Sequence, residues 1–208
     1  MVDFDEAVKH FAVSDLKMHS LAITALGHDN LLSVPKGRDK QQYFEALARA
    51  IVGQQLSTKA ADTIWGRFME LCGPVTPKNV VKLEHEQMRK VGMSNAKARY
   101  MHGLAEDVLS KKVTLDDLDK LNDEAVIDRL IQFKGIGRWS AEMFLMFTLG
   151  RPDVFSAGDL GLIRAIEAHY ERQGIKPEEA IVLAEAWAPH RTTASLVLWH
   201  SRDNKPLV

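Results

Sequence analysis

Leu130-Ile-Gln-Phe-Lys-Gly-Ile-Gly-Arg-Trp-Ser-Ala141 reads as an amphipathic helix broken at Gly135-Ile136-Gly137 and followed at once by a second helix. Two glycines one residue apart permit a positive φ or a close backbone approach. The amides that open the second helix point outward with partial positive charge. The corner therefore suits a phosphate held by main-chain N–H donors, with Arg138 and Ser140 placed to add side-chain contacts. Such a grip holds a nucleic-acid backbone without reading its sequence. Taken alone, so short a pattern more often marks a plain helix–helix turn, and the neighbouring segments have to decide.

Outward from this corner, apolar residues recur at helical spacing in nearly every segment, and runs of alternating β-branched or aromatic residues bounded by turns are missing. The expected fold class is all-α. Upstream, helices are expected over about Asp3 to Phe11 and Asp15 to Leu26, with Ser33-Val-Pro-Lys-Gly-Arg-Asp39 as a linker. Gln41 to Gln55 puts Phe44, Leu47, Ile51 and Val52 on one face. A helix from Thr58 carries Ile64, Phe68 and Leu71 inward before Gly73-Pro74 stops it. Thr76-Pro77 is a capped start for a short helix to Leu83, and another ends at Gly92. Ser94 and Asn122 cap two more, the latter carrying Val126, Leu130 and Ile131. Two helices are expected after Gly137, then a loop from Gly150 to Gly158 and a helix marked by Leu160, Ile163 and Ile166. Pro177 starts another, and a last one follows Pro189.

The 208 residues carry 27 Lys and Arg against 28 Asp and Glu, a formal net charge of −1. Counterion release rewards basic surfaces, so any phosphate site must be local. The single cysteine, Cys72, excludes an internal disulfide framework, a four-thiolate cluster and a cysteine-rich zinc site. The eight histidines show no metal-ligand spacing, and neither a catalytic metal nor a cofactor is expected. The start MVDFDEAVKHF lacks the basic region of a signal peptide, and no stretch approaches the roughly 18 apolar residues of a membrane span. A cytoplasmic or nuclear protein that enters no bilayer is expected.

The hairpin stretch resembles the helix–hairpin–helix of the base-excision DNA glycosylase superfamily, in which a Gly/Pro-rich loop and an aspartate follow it. Gly150-Arg-Pro-Asp-Val-Phe-Ser-Ala-Gly-Asp159 is that loop here. Ala50-Ile-Val-Gly-Gln-Gln-Leu-Ser-Thr-Lys59 and Trp187-Ala-Pro-His-Arg-Thr-Thr-Ala-Ser-Leu-Val-Leu-Trp199 are similar to further blocks of the same family. Four blocks in the right order, spread over about Gln41 to Ser201, look like the DNA-3-methyladenine glycosylase II branch.

The resemblance implies a role for each block. Asp159, on its own a good N-cap, is placed by the resemblance as the carboxylate facing the sugar of an extruded nucleotide. There a fixed anion stabilises the oxocarbenium-like charge that grows as the glycosidic bond breaks. Purines alkylated at N3 or N7 leave as neutral bases and need little acid catalysis, so one carboxylate suffices. Trp139 and Trp199 fall at pocket positions that stack on a cationic base. Met143 and Leu160 stand where the best-known bacterial relatives have aromatic residues, making the pocket less aromatic. Bifunctional relatives carry a nucleophilic lysine at the position of Trp139, and Lys134 does not match it. The resemblance thus implies a monofunctional enzyme that leaves an abasic site. Gln55 takes the place of the wedge that fills the gap left by the everted nucleotide, with Gln54 and Leu56 as alternatives in the turn ending at Ser57. Gly135, Ile136, Gly137, Arg138 and Ser140 would hold the DNA backbone, and carbonyls of Ile131, Phe133 and Ile136 would hold a structural cation. Lys78, Lys82, Arg89, Lys90, Lys97 and Arg99 form a basic strip that fits either a DNA-facing surface or an ordinary solvated one.

The implied architecture is two helical lobes with the hairpin and an active-site cleft between them, one over residues 41–155 and one pairing 1–40 with 156–208. The expected partner is double-stranded DNA with alkylated bases, bound by a monomer. Rival readings are a glycosylase for a deaminated or oxidised base, a non-catalytic hairpin protein that only binds DNA, and a helical interaction module unrelated to DNA.

Overall fold

Helix starts follow the capping residues. Side-chain oxygens of Ser57, Thr76, Ser94, Asn122 and Asp159 accept from the amides of Ala60, Asn79, Lys97, Ala125 and Leu162. Asp15 Oδ1 accepts from both Lys17 and Met18. Each bond satisfies an amide that the helix leaves unpaired. The computed structural model describes residues 4–26 and 36–203, and those residues form twelve α-helices and no strand. They are α1 Phe4–Ser14, α2 Leu16–Leu26, α3 Tyr43–Gly53, α4 Thr58–Cys72, α5 Pro77–Val80, α6 His85–Lys90, α7 Asn95–Leu109, α8 Asp123–Leu130, α9 Arg138–Phe144, α10 Leu160–His169, α11 Pro177–Ala184 and α12 Arg191–Asp203. None of the described helices is long and apolar enough to cross a membrane.

The chain divides into two compact units, Arg38–Phe144 and Met1–Gly37 with Leu145–Val208. In the first, Leu47, Ile51, Phe68, Met101, Leu104 and Leu130 are fully buried, each burial worth about 1.5–3 kcal/mol. In the second, Phe11, Met18, Leu162, Ile166, Trp187 and Leu198 form the core. Its two sequence segments meet at Asp15, whose Oδ2 accepts from the Tyr170 hydroxyl at 2.6 Å and from Trp187 Nε1 at 2.9 Å. Burial and the Asp15 carboxylate push the Tyr170 hydroxyl far above its ordinary pKa.

Several expectations shift. The boundary lies at Phe144/Leu145 rather than near residue 155, because the loop after Gly150 is bonded to α12: the Thr192 amide donates to Pro152 O and the Val154 amide to Thr192 Oγ1, each at 3.0 Å. After Gly137 there is one helix, α9, that widens into a π turn over Leu145–Leu149, instead of two. Ile131 is exposed instead of inward, since α8 stops at Leu130 and Ile131 is its C-cap. Lys40–Gln42 is a 3-10 turn ahead of α3. Of the expected linker, Ser33–Pro35 lies outside the described residues, and 36–39 is irregular.

Candidate functional site

The hairpin sits in the Arg38–Phe144 unit. After α8 the Phe133 amide donates to Leu130 O and the Ile136 amide to Phe133 O, and the Ala141 amide donates to Gly137 O as α9 begins. Gly135 has φ +95°, and a Cβ there would lie 2.5 Å from Tyr100 Cγ. Both backbone angle and packing therefore require glycine. Gly137 has neither constraint: a Cβ on it would meet nothing within 4 Å. Its absence of side chain leaves the corner open to an incoming group.

Side chains at this corner do less than expected. Ser140 is only 5 % exposed and Ile136 is buried, so neither side chain is presented to a ligand and only their main-chain groups can serve. Arg138 is clamped by carboxylates. Its Nη2 and Nη1 donate to Glu124 Oε1 and Oε2 at 2.6 and 3.1 Å, and its Nε donates to Glu142 Oε1 at 3.0 Å. The hydrogen bond from Arg138 holds the Glu124 carboxyl below its ordinary pKa, and Glu124 raises that of Arg138. With three of its five N–H groups on carboxylates, the guanidinium is drawn away from the corner, where the main-chain amides can serve as donors. Trp139 is 47 % exposed and Met143 half-buried on α9.

The Gly53–Ser57 turn joins α3 to α4 in the same unit. Gln54 Nε2 donates to Gly135 O at 2.7 Å, which ties the turn to the hairpin and engages the Gln54 side chain there. Gln55 is exposed with φ +58°, and Leu56 is exposed beside it. Ser57 caps α4. Lys97 is not part of a solvated strip: its Nζ donates to Val52 O at 2.8 Å and Gln54 O at 2.6 Å, and burial lowers its pKa.

Asp159, Leu160 and Trp199 belong to the other unit. Asp159 caps α10, and its Oδ1 accepts from the Leu162 amide at 2.8 Å and from Trp199 Nε1 at 3.1 Å. Two donors on one oxygen fix the carboxylate. Trp199 lies beside Phe147, ring centroids 6.1 Å apart at 30°, and Leu160 is 69 % exposed. The loop that delivers Asp159 is anchored by Arg191, whose Nε and Nη2 donate to Asp153 Oδ1 and Oδ2 at 2.7 and 2.8 Å. Burial pushes the Asp153 carboxyl up, but bonds from Arg191 outweigh it and hold the pKa low.

Sequence reasoning missed Gly161. A Cβ there would lie 2.9 Å from Asp159 Oδ1 and 3.3 Å from Trp199 Nε1, so any larger residue would press on the two groups that make that bond. A glycine in the first turn of a predicted helix was the available signal. Phe147 and Tyr100 were missed too, and nothing local marks them. Among the described residues no group of three or more His, Cys, Asp or Glu could hold a metal ion.

Residues 48–190 match the model of the HhH-GPD superfamily of base excision DNA repair proteins. The chain belongs to the HhH-GPD superfamily. The matched HhH-GPD region includes the Gly53–Ser57 turn, the hairpin and Asp159, while Trp199 lies beyond it. The chain is 37 % identical over 170 residues to DNA-3-methyladenine glycosylase 1 of Schizosaccharomyces pombe, covering 79 % of this chain and 74 % of the relative. Among solved HhH-GPD structures, the S. pombe 3-methyladenine DNA glycosylase in complex with abasic DNA superposes with a TM-score of 0.83 at 30 % identity, covering 95 % of this chain and 97 % of that one. A DNA-3-methyladenine glycosidase from Bacillus halodurans gives 0.80 at 34 % identity, covering 95 % and 89 %.

Proposed function

We infer that this protein is a monofunctional DNA-3-methyladenine glycosylase, which everts alkylated purines of the 3-methyladenine and 7-methylguanine type from duplex DNA and hydrolyses their N-glycosidic bond in base excision repair. The observation that carries the reading is the Asp159 carboxylate, pinned by Leu162 N–H and Trp199 Nε1–H beside the Trp199–Phe147 pair, in an HhH-GPD chain 37 % identical to a glycosylase of that name. As the C1′–N bond breaks, its electrons leave with the base, which departs neutral, and the sugar becomes cationic. The fixed carboxylate stabilises that charge more than it stabilises the ground state. Water then adds to C1′ and gives up a proton, leaving an abasic site. Trp139 occupies the position of the Schiff-base lysine of bifunctional relatives, so no amine attacks the sugar there.

The hairpin amides from Gly135 to Gly137 hold the DNA backbone, and Gln55 or Leu56 fills the gap left by the base. A hard cation would be held by carbonyls of Ile131, Phe133 and Ile136. The Phe133 carbonyl already accepts from the Ile136 amide at 3.0 Å and keeps its second lone pair for such an ion. The protein acts as a monomer on nucleoid or nuclear DNA. The alternative, a glycosylase for a deaminated or oxidised base, rests on the non-aromatic Met143 and Leu160, and comparing release of several damaged bases from matched duplexes decides between the two.

The test is base release from an alkylated duplex, with abasic sites revealed by alkali. Asp159→Asn is expected to lower the rate by about 100- to 1,000-fold. Undiminished release would remove Asp159 from the mechanism, and strand cleavage without alkali would overturn the monofunctional assignment.

A further inference from the structure

We propose that Lys97 is a positioning residue for nucleotide eversion: its ammonium fixes the turn from which the wedge, Gln55 or Leu56, enters the duplex. The proposal rests on the glycosylase reading above.

Lys97 Nζ donates to two carbonyls at the end of α3, Val52 O at 2.8 Å and Gln54 O at 2.6 Å. A cation is favoured there, where the helix leaves its last carbonyls unpaired and partially negative. Gln54 O belongs to the peptide that leads directly into Gln55. The bond therefore sets the orientation of that peptide, and with it the φ of +58° at Gln55. A residue with a Cβ takes up that left-handed angle only where its surroundings hold it.

One helix braces both ends of the assembly. Tyr100, three residues after Lys97 on α7, shares its face, and the Tyr100 ring packs under Gly135 of the hairpin. Gln54 Nε2 closes the loop by donating to Gly135 O at 2.7 Å. Wedge turn and hairpin are thus held at a set spacing by Lys97, Tyr100 and Gln54. A wedge that is already in shape does not have to be ordered as the base leaves the stack, and ordering is the cost that pre-organisation removes.

This role predicts a dependence on how firmly the target is stacked. Eversion is costly for a paired, stacked nucleotide and cheap for one that is already loose. Single-turnover release of one alkylated base, placed either in a fully paired duplex or in a single-nucleotide bulge, separates the cases. Lys97→Met is expected to lose about tenfold on the paired substrate and less than about twofold on the bulge, with Lys97→Arg restoring most of the paired rate. Aminopurine fluorescence beside the lesion, which reports unstacking independently of chemistry, should fall in Lys97→Met in parallel with the paired rate. Equal losses on both substrates, as a general structural defect or a lost phosphate contact would give, overturn the proposal, as does no loss on either. If the native protein releases no base from either substrate, the glycosylase reading itself falls; native activity with an unchanged paired-to-bulge ratio in Lys97→Met sinks only the role of Lys97.

Discussion

At Gly161, helix propensity and the geometry around Asp159 pull in opposite directions. Alanine in a helix is favoured over glycine by about 1 kcal/mol, yet a Cβ at this position would stand 2.9 Å from Asp159 Oδ1, an atom already pinned by two donors. The carboxylate has to move. Gly161→Ala is therefore expected to melt within a few degrees of the native protein while releasing base about tenfold more slowly or worse, read by thermal melts beside single-turnover kinetics. Asp159 was legible in the sequence as a cap ahead of an apolar helix, because capping is a local event. The demand for glycine two residues later was not, because the atoms that impose it come from Trp199 on α12.

Among the elements, the loop 150–159 and helix α12 are one assembly. Thr192 and Arg191 bond to the loop at Arg151, Pro152, Asp153 and Val154, so the two sequence blocks that bracket the second unit's site hold each other in place. His190, just ahead of α12, gives this junction a dependence on pH. Among the described residues its buried Nδ1 has no hydrogen-bond partner, and His10 faces it at 5.4 Å between ring centroids. Burial first, then His10, holds its pKa below the ordinary 6.5, against the pull of Glu6 and Asp153. As the pH falls the unfolded chain takes up the proton before the folded one, so stability is full above about pH 6.5 and declines below it. Melting temperatures recorded from about pH 7.5 to 5 should fall on the acid side, and His190→Gln should flatten that limb. The loop was legible from its glycines and proline and α12 from its apolar spacing, but their mutual bonding was not, since hydroxyl and carboxylate partners carry no periodicity.

For the molecule as a whole, almost every helix was legible because caps and 3.6-residue spacing act within a few residues. The partition between units was not. It falls where α9 runs into the π turn at Leu145, inside an unbroken apolar stretch with no glycine or proline to mark it. Long-range pairing also stays silent in sequence: Asp15 joins an N-terminal segment to Tyr170 and Trp187 through a carboxylate that locally reads only as a cap. The net charge of −1 and the proposed hold of the hairpin amides on the DNA backbone give an expectation for binding. Affinity for duplex DNA should fall with salt at a log–log slope shallower than about −4, where proteins that neutralise six to ten phosphates show roughly −5 to −9. Titration at several ionic strengths checks it.

The ion pairs that Arg138 makes with Glu124 and Glu142 bear on how the proposed glycosylase would hold its substrate. On the proposed reading, a grip that relies on dipoles rather than cations would release few counterions on binding, and its hold on a duplex would change little with ionic strength. Such a grip would trade tenacity on undamaged DNA for the freedom to let go of it.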